Sequence, residues 1–249
     1  MPEAHIEEFR ELWTGRAESY SGNVLAQIED GSYVKWAEEV LKDLPSDKPL
    51  RILDVGCGPG FFPIVLGRLG HTVVGIDYNE EMCRTAARNC DSFGVPSDLR
   101  VMDAHHLYFE DGSFDVVVSR DVLWNLDDPE QVYREMHRVL RSGGKMVVFD
   151  GNYYLYAHDK AYESMNVEKH IELYHRDEPD CRKRLLYVAG LATELPASRE
   201  RRPQWDAACL ISMGCSRVST VSYPENMIEF IEDGKRSCLP FTFAVSAFK

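Results

Sequence analysis

Three glycines at positions 56, 58 and 60 stand directly behind the apolar run Arg51-Ile52-Leu53-Asp54-Val55. They are the residues of this chain best suited to meet a ligand. Glycine carries no side chain to clash and tolerates positive φ, so a strand running through such a turn into a helix brings backbone N–H groups against a bound molecule. Nucleotide-type ligands are held in this way. The dinucleotide fingerprint Gly-x-Gly-x-x-Gly would require glycine at position 61, where the chain has Phe61. The pattern present is Asp54-x-Gly56-x-Gly58-x-Gly60. A second apolar run, Val73-Val74-Gly75-Ile76, ends in Asp77, about 20 residues beyond the glycines. An open α/β sheet places there an acid that accepts hydrogen bonds from ribose hydroxyls. Capping a helix that opens at Glu80-Glu81 is the other task open to Asp77. Leu99-Arg100-Val101-Met102 ends in Asp103-Ala104, and Phe114 to Ser119 runs into Arg120-Asp121. Arg120 can pair with a carboxylate, and Asp121 can hold an amine or serve as a general base. The same two side chains can equally pair with each other or with the N-terminal helices.

Apolar β-rich runs alternating with helical patterns predict βαβ units and a mostly parallel sheet that positions these residues. Residues 1–46 read as helical, with Trp13, Ala17 and Tyr20, then Val34, Ala37, Val40 and Leu41, at helical spacing. The first strand is Leu50 to Val55, followed by a helix from Phe61 to Leu69 that Gly70 stops. Pro63 is tolerated in its first turn. A helix from Glu80 to Phe93 follows the second strand, and one from Pro129 to Leu140 follows the fourth, with Val132, Met136, Val139 and Leu140 on one face. Ser142-Gly143-Gly144 closes that helix ahead of a fifth strand from Lys145 to Asp150. A helix near Trp205 to Met213 and strands Arg217 to Ser222 and Phe241 to Phe248 complete a seven-stranded sheet. In such sheets ligands sit at the carboxyl ends of the strands, where the strand order reverses.

The glycine motif, Asp77, Asp103 and the run Arg138-Val-Leu-Arg-Ser-Gly-Gly-Lys-Met-Val-Val-Phe-Asp150 occur in unbroken order across about residues 50–150. Together they resemble the motifs of the class I S-adenosylmethionine-dependent methyltransferases, in the branch that includes ubiquinone and menaquinone methyltransferases. The resemblance implies a Rossmann-like α/β fold with helices on both faces of the sheet and an antiparallel last strand. It implies S-adenosylmethionine as cofactor and S-adenosylhomocysteine as product. Gly56, Gly58 and Gly60 would then admit the methionine moiety, with Cys57 between them, and Asp77 would hold the ribose. Asp103 would face the adenine amino group, beside Ala104 and His105, while Tyr78 and Met82 would flank the adenosine. Asp54 would order the glycine loop and the ligand amine, and Tyr20 would reach the cofactor carboxylate, with Arg120 nearby. Related enzymes often carry an aromatic or His pair after the fourth strand, where this chain has Trp124-Asn125. Asp121, Arg120 and Trp124 are therefore the expected acceptor-side residues.

The expected organisation is a single domain over 1–249, with a helical lid at 1–46 and a substrate-side insertion at 151–204. The insertion is rich in aromatic and imidazole groups: Tyr153, Tyr154, Tyr156, His158, Tyr162, His170, Tyr174, His175 and Tyr187. A connection of this length reads as a lid or binding element, although each Tyr can also simply pack onto the sheet. A formal net charge of −13 opposes polynucleotide substrates, which draw affinity from Lys and Arg neutralising phosphates. The clusters Arg182-Lys183-Arg184 and Arg199-Glu200-Arg201-Arg202 are exceptions that read as solvated faces. No apolar run approaches the roughly 20 residues needed to cross a bilayer, and Met1-Pro2-Glu3-Ala4-His5 lacks the features of a signal peptide. A cytoplasmic protein without membrane partner is expected. Seven cysteines at irregular spacing, with no Cys-x-x-Cys, read as reduced thiols. No metal is expected, because His170 and His175 are five apart and share no helical face. The partner that the resemblance implies is a small-molecule methyl acceptor with an N, O or S nucleophile. His105, His106 and an insertion tyrosine join Asp121 as candidate bases. The alternative of another class is a catalytically silent cofactor-binding protein whose insertion is an interaction surface.

Overall fold

Strand β1 (Arg51–Val55) is flanked by β2 (Thr72–Asp77) on one side and β4 (Phe114–Arg120) on the other. The chain therefore turns one way from β1 and then returns to the other side of it. The full order is β3-β2-β1-β4-β5-β9-β6, where β3 is Asp98–Val101, β5 Leu140–Gly151, β6 Ser216–Ser222 and β9 Thr242–Phe248. Pairings from β3 through β5 are parallel, and β9 runs antiparallel to both β5 and β6. The computed structural model describes residues 3–45, 48–174, 181–223, 227–232 and 235–249. His175 lies outside the described residues.

Helices α1 (Glu3–Glu29), α2 (Val34–Leu41), α3 (Phe61–Arg68), α4 (Glu80–Ser92), α5 (Pro129–Val139) and α8 (Gln204–Ser212) cover the sheet. Coverage on both faces explains why β1 and β4 are near-continuous apolar runs. Alternating side chains feed two cores. Leu53, Val55 and Val117 pack with Met136, Val139 and Leu140 of the α5 side, whereas Ile52, Val116 and Val118 pack with Phe61, Phe62 and Val40. Asp54 shares the face of Ile52, so its carboxyl enters the second core rather than solvent, and it is only 2% exposed.

Two features depart from the sequence expectation. The fifth strand begins at Leu140 instead of Lys145, because the pairing steps from Phe114↔Leu140 to Val116↔Lys145 and leaves residues 141–144 as a bulge. Gly144 is required there, since a Cβ would stand 2.8 Å from the Asp115 carbonyl oxygen. The second is a hairpin of β7 (Met227–Glu232) and β8 (Lys235–Pro240) between β6 and β9. Its sequence signal was present, since Asp233-Gly234 separates two β-prone runs.

Between β5 and α8 the chain forms short 3-10 turns at Leu155–Ala157, Lys160–Met165 and Pro196–Arg199, with helices α6 (Val167–Tyr174) and α7 (Cys181–Ala192). Leu185, Val188, Ala192 and Leu195 of this segment pack against Phe9 of α1 and Trp124. No helix among the described residues is long and apolar enough to cross a membrane.

Candidate active site

The glycine turn is built by β1 and anchored on β2. Gly56 N and Cys57 N both donate to the Ile76 carbonyl oxygen at 2.8 Å. Gly56, Gly58 and Gly60 have φ of 72°, 49° and 98°, a region that side-chain-bearing residues avoid. Each glycine answers a different demand. A Cβ at Gly56 would stand 2.3 Å from Val122 Cγ2, and one at Gly60 would lie 3.3 Å from Ala86 of α4. At Gly58 the nearest atom would be Tyr20 Cε1 at 3.5 Å, so this glycine opens onto space beneath α1.

Asp77 ties that turn to the end of β2. Its Oδ2 accepts from Gly58 N at 3.0 Å and its Oδ1 from Asn79 N at 2.9 Å. Capping of α4 falls to Asn79 instead, whose Oδ1 accepts from Glu81 N and Met82 N. The Asp77 carboxylate is thereby left at the strand end. Burial pushes it up to about 6, against the two backbone N–H bonds that favour its charged form. Asp54 is pushed further, to about 8, by burial that the neighbouring Arg120 charge only partly offsets.

At the end of β3, Asp103 Oδ1 accepts from His105 N at 2.9 Å and lies 2.7 Å from His105 Nδ1. His105 Nε2 lies 3.3 Å from Asp127 Oδ1 but makes no hydrogen bond to it. Burial would raise the Asp103 carboxyl, but the bonds and charge of His105 and the charge of His106 hold it below its ordinary value.

At the end of β4 the two charged side chains diverge. The Arg120 guanidinium lies over Phe61 at 3.8 Å from the ring centroid and donates through Nη1 to Gln27 Oε1 of α1 at 3.0 Å. It reaches Asp121 only at 3.9 Å. Asp121 has φ of 58°. Its N donates to the Phe149 carbonyl oxygen, its carbonyl accepts from Trp124 Nε1 at 2.9 Å, and its Oδ1 accepts from the Tyr153 hydroxyl at 2.5 Å.

These strand ends enclose a cavity of about 470 Å³, within the range of small-molecule sites. Of the residues expected from sequence, Tyr20, Gly56, Gly58, Asp77, Tyr78, Met82, Asp103, Ala104, His105, Arg120 and Asp121 line it. Asp54, Cys57 and Gly60 stand behind the wall, where they shape the turn. Trp124 departs from expectation: its ring packs against Phe9, Trp13, Tyr153 and Tyr154 at centroid distances of 5.3 to 6.4 Å, outside the lining. Its neighbour Asn125 does line the cavity, as do Phe9, Arg10 and Trp13 of α1 and Met102 of the β3 exit. Phe9, Trp13 and Tyr20 recur at i, i+4 and i+11, a stripe visible in the sequence. Among the described residues no cluster of three or more His, Cys, Asp or Glu could hold a metal ion.

Residues 53–148 match the model of a family described as a methyltransferase domain. The chain is 37% identical over 100 residues to a ubiquinone biosynthesis O-methyltransferase of Caulobacter sp. strain K31, covering 40% of each chain. It is 37% identical over 125 residues to a demethylmenaquinone methyltransferase of Listeria welshimeri, covering 47% of this chain and 52% of that one. The match thus spans about half or less of the length of these curated relatives. A solved structure from Methanococcus maripaludis, described as that of a putative S-adenosylmethionine-dependent methyltransferase, shares the fold with a TM-score of 0.59 at 17% identity, over 95% of this chain and 93% of that one.

Proposed function

We propose that the chain is a class I S-adenosylmethionine-dependent methyltransferase that methylates a small polar or aromatic metabolite, a reading supported by its match to a methyltransferase-domain model over residues 53–148. S-adenosylmethionine is the cofactor, leaving as S-adenosylhomocysteine. The residues present fit such a group. Gly58 leaves open the space a Cβ would fill, Asp77 offers a carboxylate to a pair of hydroxyls, and Met82, Met102 and Tyr78 supply apolar faces for a purine. The observation that carries the reading is the Asp77–Gly58 link, which sets the ribose acceptor and the glycine turn as one rigid unit. The acceptor nucleophile is assigned to the opposite end, beside Asp121 and Asn125.

The bound cofactor supplies a methyl group already activated as a sulfonium. The protein's task is to align a nucleophile with it and exclude water. Phe9, Trp13 and Tyr20 close the cavity from the α1 side, as a lid at 1–46 would, while the segment 151–204 packs behind them and reaches the acceptor end through Tyr153.

Cofactor affinity should depend on the charge of Asp77. Because burial pushes its carboxyl up to about 6, the proposed ribose acceptor is ionised above that pH and progressively lost below it. The dissociation constant for S-adenosylmethionine is expected to be flat above about 6 and to rise roughly tenfold per unit below. Calorimetric titrations across this range check it. The sign for the empty protein is opposite. A carboxyl raised from 3.8 to about 6 stabilises the fold at low pH, and that contribution is lost as pH climbs through this window.

The substrate class follows from charge and enclosure. The net charge of −13 disfavours polynucleotides, and the basic clusters are internally matched: Arg182 pairs with Glu168, Arg199 with Glu194, and Arg201 with Asp159. Arg202 is fully buried between Asp150 and Asp206. Incubation with methyl-labelled S-adenosylmethionine and a polar-metabolite extract is expected to label compounds of low mass. Label appearing in RNA, or steeply salt-dependent RNA binding, would contradict the assignment.

A further inference from the structure

Asp121 is held in an unusual way. It follows β4 directly, in a left-handed backbone conformation that only glycine adopts freely, and such conformations persist where surrounding contacts impose them. One of those contacts is local and one comes from a distant part of the chain. The Trp124 indole fixes the Asp121 carbonyl, and the Tyr153 hydroxyl, 32 residues on, fixes Oδ1. Oδ2 makes no hydrogen bond among the described residues, although Arg120 Nε stands 3.9 Å from it as an ion-pair partner, and the Asp121 side chain is 39% exposed at the cavity.

The phenol is itself clamped. Its ring stands edge to face with Trp124 and Phe241, at 5.9 and 5.7 Å between centroids. The strand makes room for it, since a Cβ on Gly151 would lie 2.7 Å from Tyr153 Cε1 and Cζ. Burial, followed by the Asp121 and Asp150 charges, pushes the Tyr153 phenol well above its ordinary value, so it stays a hydrogen-bond donor. A neutral donor locked against one carboxylate oxygen leaves the other oxygen as the available acceptor, in a fixed direction.

We propose that Tyr153 is a positioning residue that aims Asp121 Oδ2 at the site of methyl transfer, where that oxygen receives an N–H or O–H of the acceptor. The inference rests on the methyl-transfer reading, and it gives the segment after β5 a defined part in the chemistry. Asp121 touches the acceptor, whereas Tyr153 acts only through Asp121. Trp124, expected from sequence to meet the acceptor, belongs with Tyr153 in the supporting layer.

Sinefungin tests this without knowledge of the acceptor, because a carbon bearing a protonated amine replaces its methylated sulfonium. A carboxylate oxygen aimed at the methyl position will favour sinefungin over S-adenosylhomocysteine, which has nothing there. By calorimetry, the wild-type protein is expected to bind sinefungin about tenfold more tightly than S-adenosylhomocysteine. Tyr153→Phe should reduce that preference to about twofold, with S-adenosylhomocysteine affinity unchanged within about twofold. Asp121→Glu retains the charge but displaces the oxygen, and it should lose the preference as well, which keeps the test decisive if Tyr153→Phe does not fold. A preference that persists in folded Tyr153→Phe overturns the role of the phenol, and one that persists in Asp121→Glu overturns the aimed carboxylate. No preference in the wild type overturns both. Failure of the wild type to bind S-adenosylhomocysteine at all would instead refute the cofactor reading beneath the proposal.

Discussion

Asp77→Ala is expected to weaken S-adenosylmethionine binding by about 10- to 150-fold, the equivalent of about 1.5–3 kcal/mol for hydrogen bonds to a charged, partly buried acceptor. The effect has two sources in the structure. The carboxylate is the ribose acceptor proposed above, and it also accepts from Gly58 N and Asn79 N, so its removal frees the glycine turn and the entry to α4 together. Asp77→Asn separates them. It is expected to keep part of the loop order while losing the charge, and so to fall between the wild type and alanine. The empty protein should not be destabilised through loss of the charge itself, because burial already disfavours that charge. Calorimetry with a thermal melt of each variant checks both halves. Unchanged affinity in a folded Asp77→Ala variant removes the ribose assignment.

Gly58→Val is expected to abolish measurable cofactor binding. Glycine at this position has φ of 49°, and the Cβ of a replacement would enter the open space below Tyr20 without striking protein backbone. A β-branched residue must also leave the left-handed region, which moves the N–H that Asp77 now receives. The cost to the fold is confined to the turn, at about 1–2 kcal/mol. Circular dichroism should therefore remain native while binding is lost. Gly56→Val is the informative contrast, because its side chain would collide with Val122 and should unfold or distort the β4 exit. Retained binding in Gly58→Val would mean that the turn does not lie against the ligand.

What was legible in the sequence was local. The run from Arg51 to Gly60 specifies a strand, a left-handed turn and a helix start from residue type alone, and the spacing to Asp77 follows from one βαβ unit. The capping alternative for Asp77 falls away because Asn79 caps α4, and the ribose role stands as proposed. The acceptor end was less legible because its partners are remote in sequence. Nothing near Asp121 signals the Tyr153 hydroxyl, since the segment after β5 has no periodicity that fixes its path. Trp124 was misplaced for a related reason. A large aromatic after a strand end reads as a cavity wall, but here Phe9, Trp13 and Tyr154 surround it, and its N–H is committed to the Asp121 carbonyl. Arg120 reads equally as a carboxylate partner and as a partner of the N-terminal helices; its bond to Gln27 ties it to α1 and its stacking on Phe61 to α3, while it still lines the cavity. The β7–β8 hairpin was not expected, although Asp233-Gly234 stands between its two runs in the sequence.

The most direct test of the central claim, that the carboxyl end of this sheet is an S-adenosylmethionine site, is a calorimetric titration of the intact chain at neutral pH with S-adenosylmethionine and, separately, with NADH. Binding of S-adenosylmethionine to a single site at micromolar affinity, with no heat from NADH, is the predicted result. Binding of NADH with no heat from S-adenosylmethionine would contradict it.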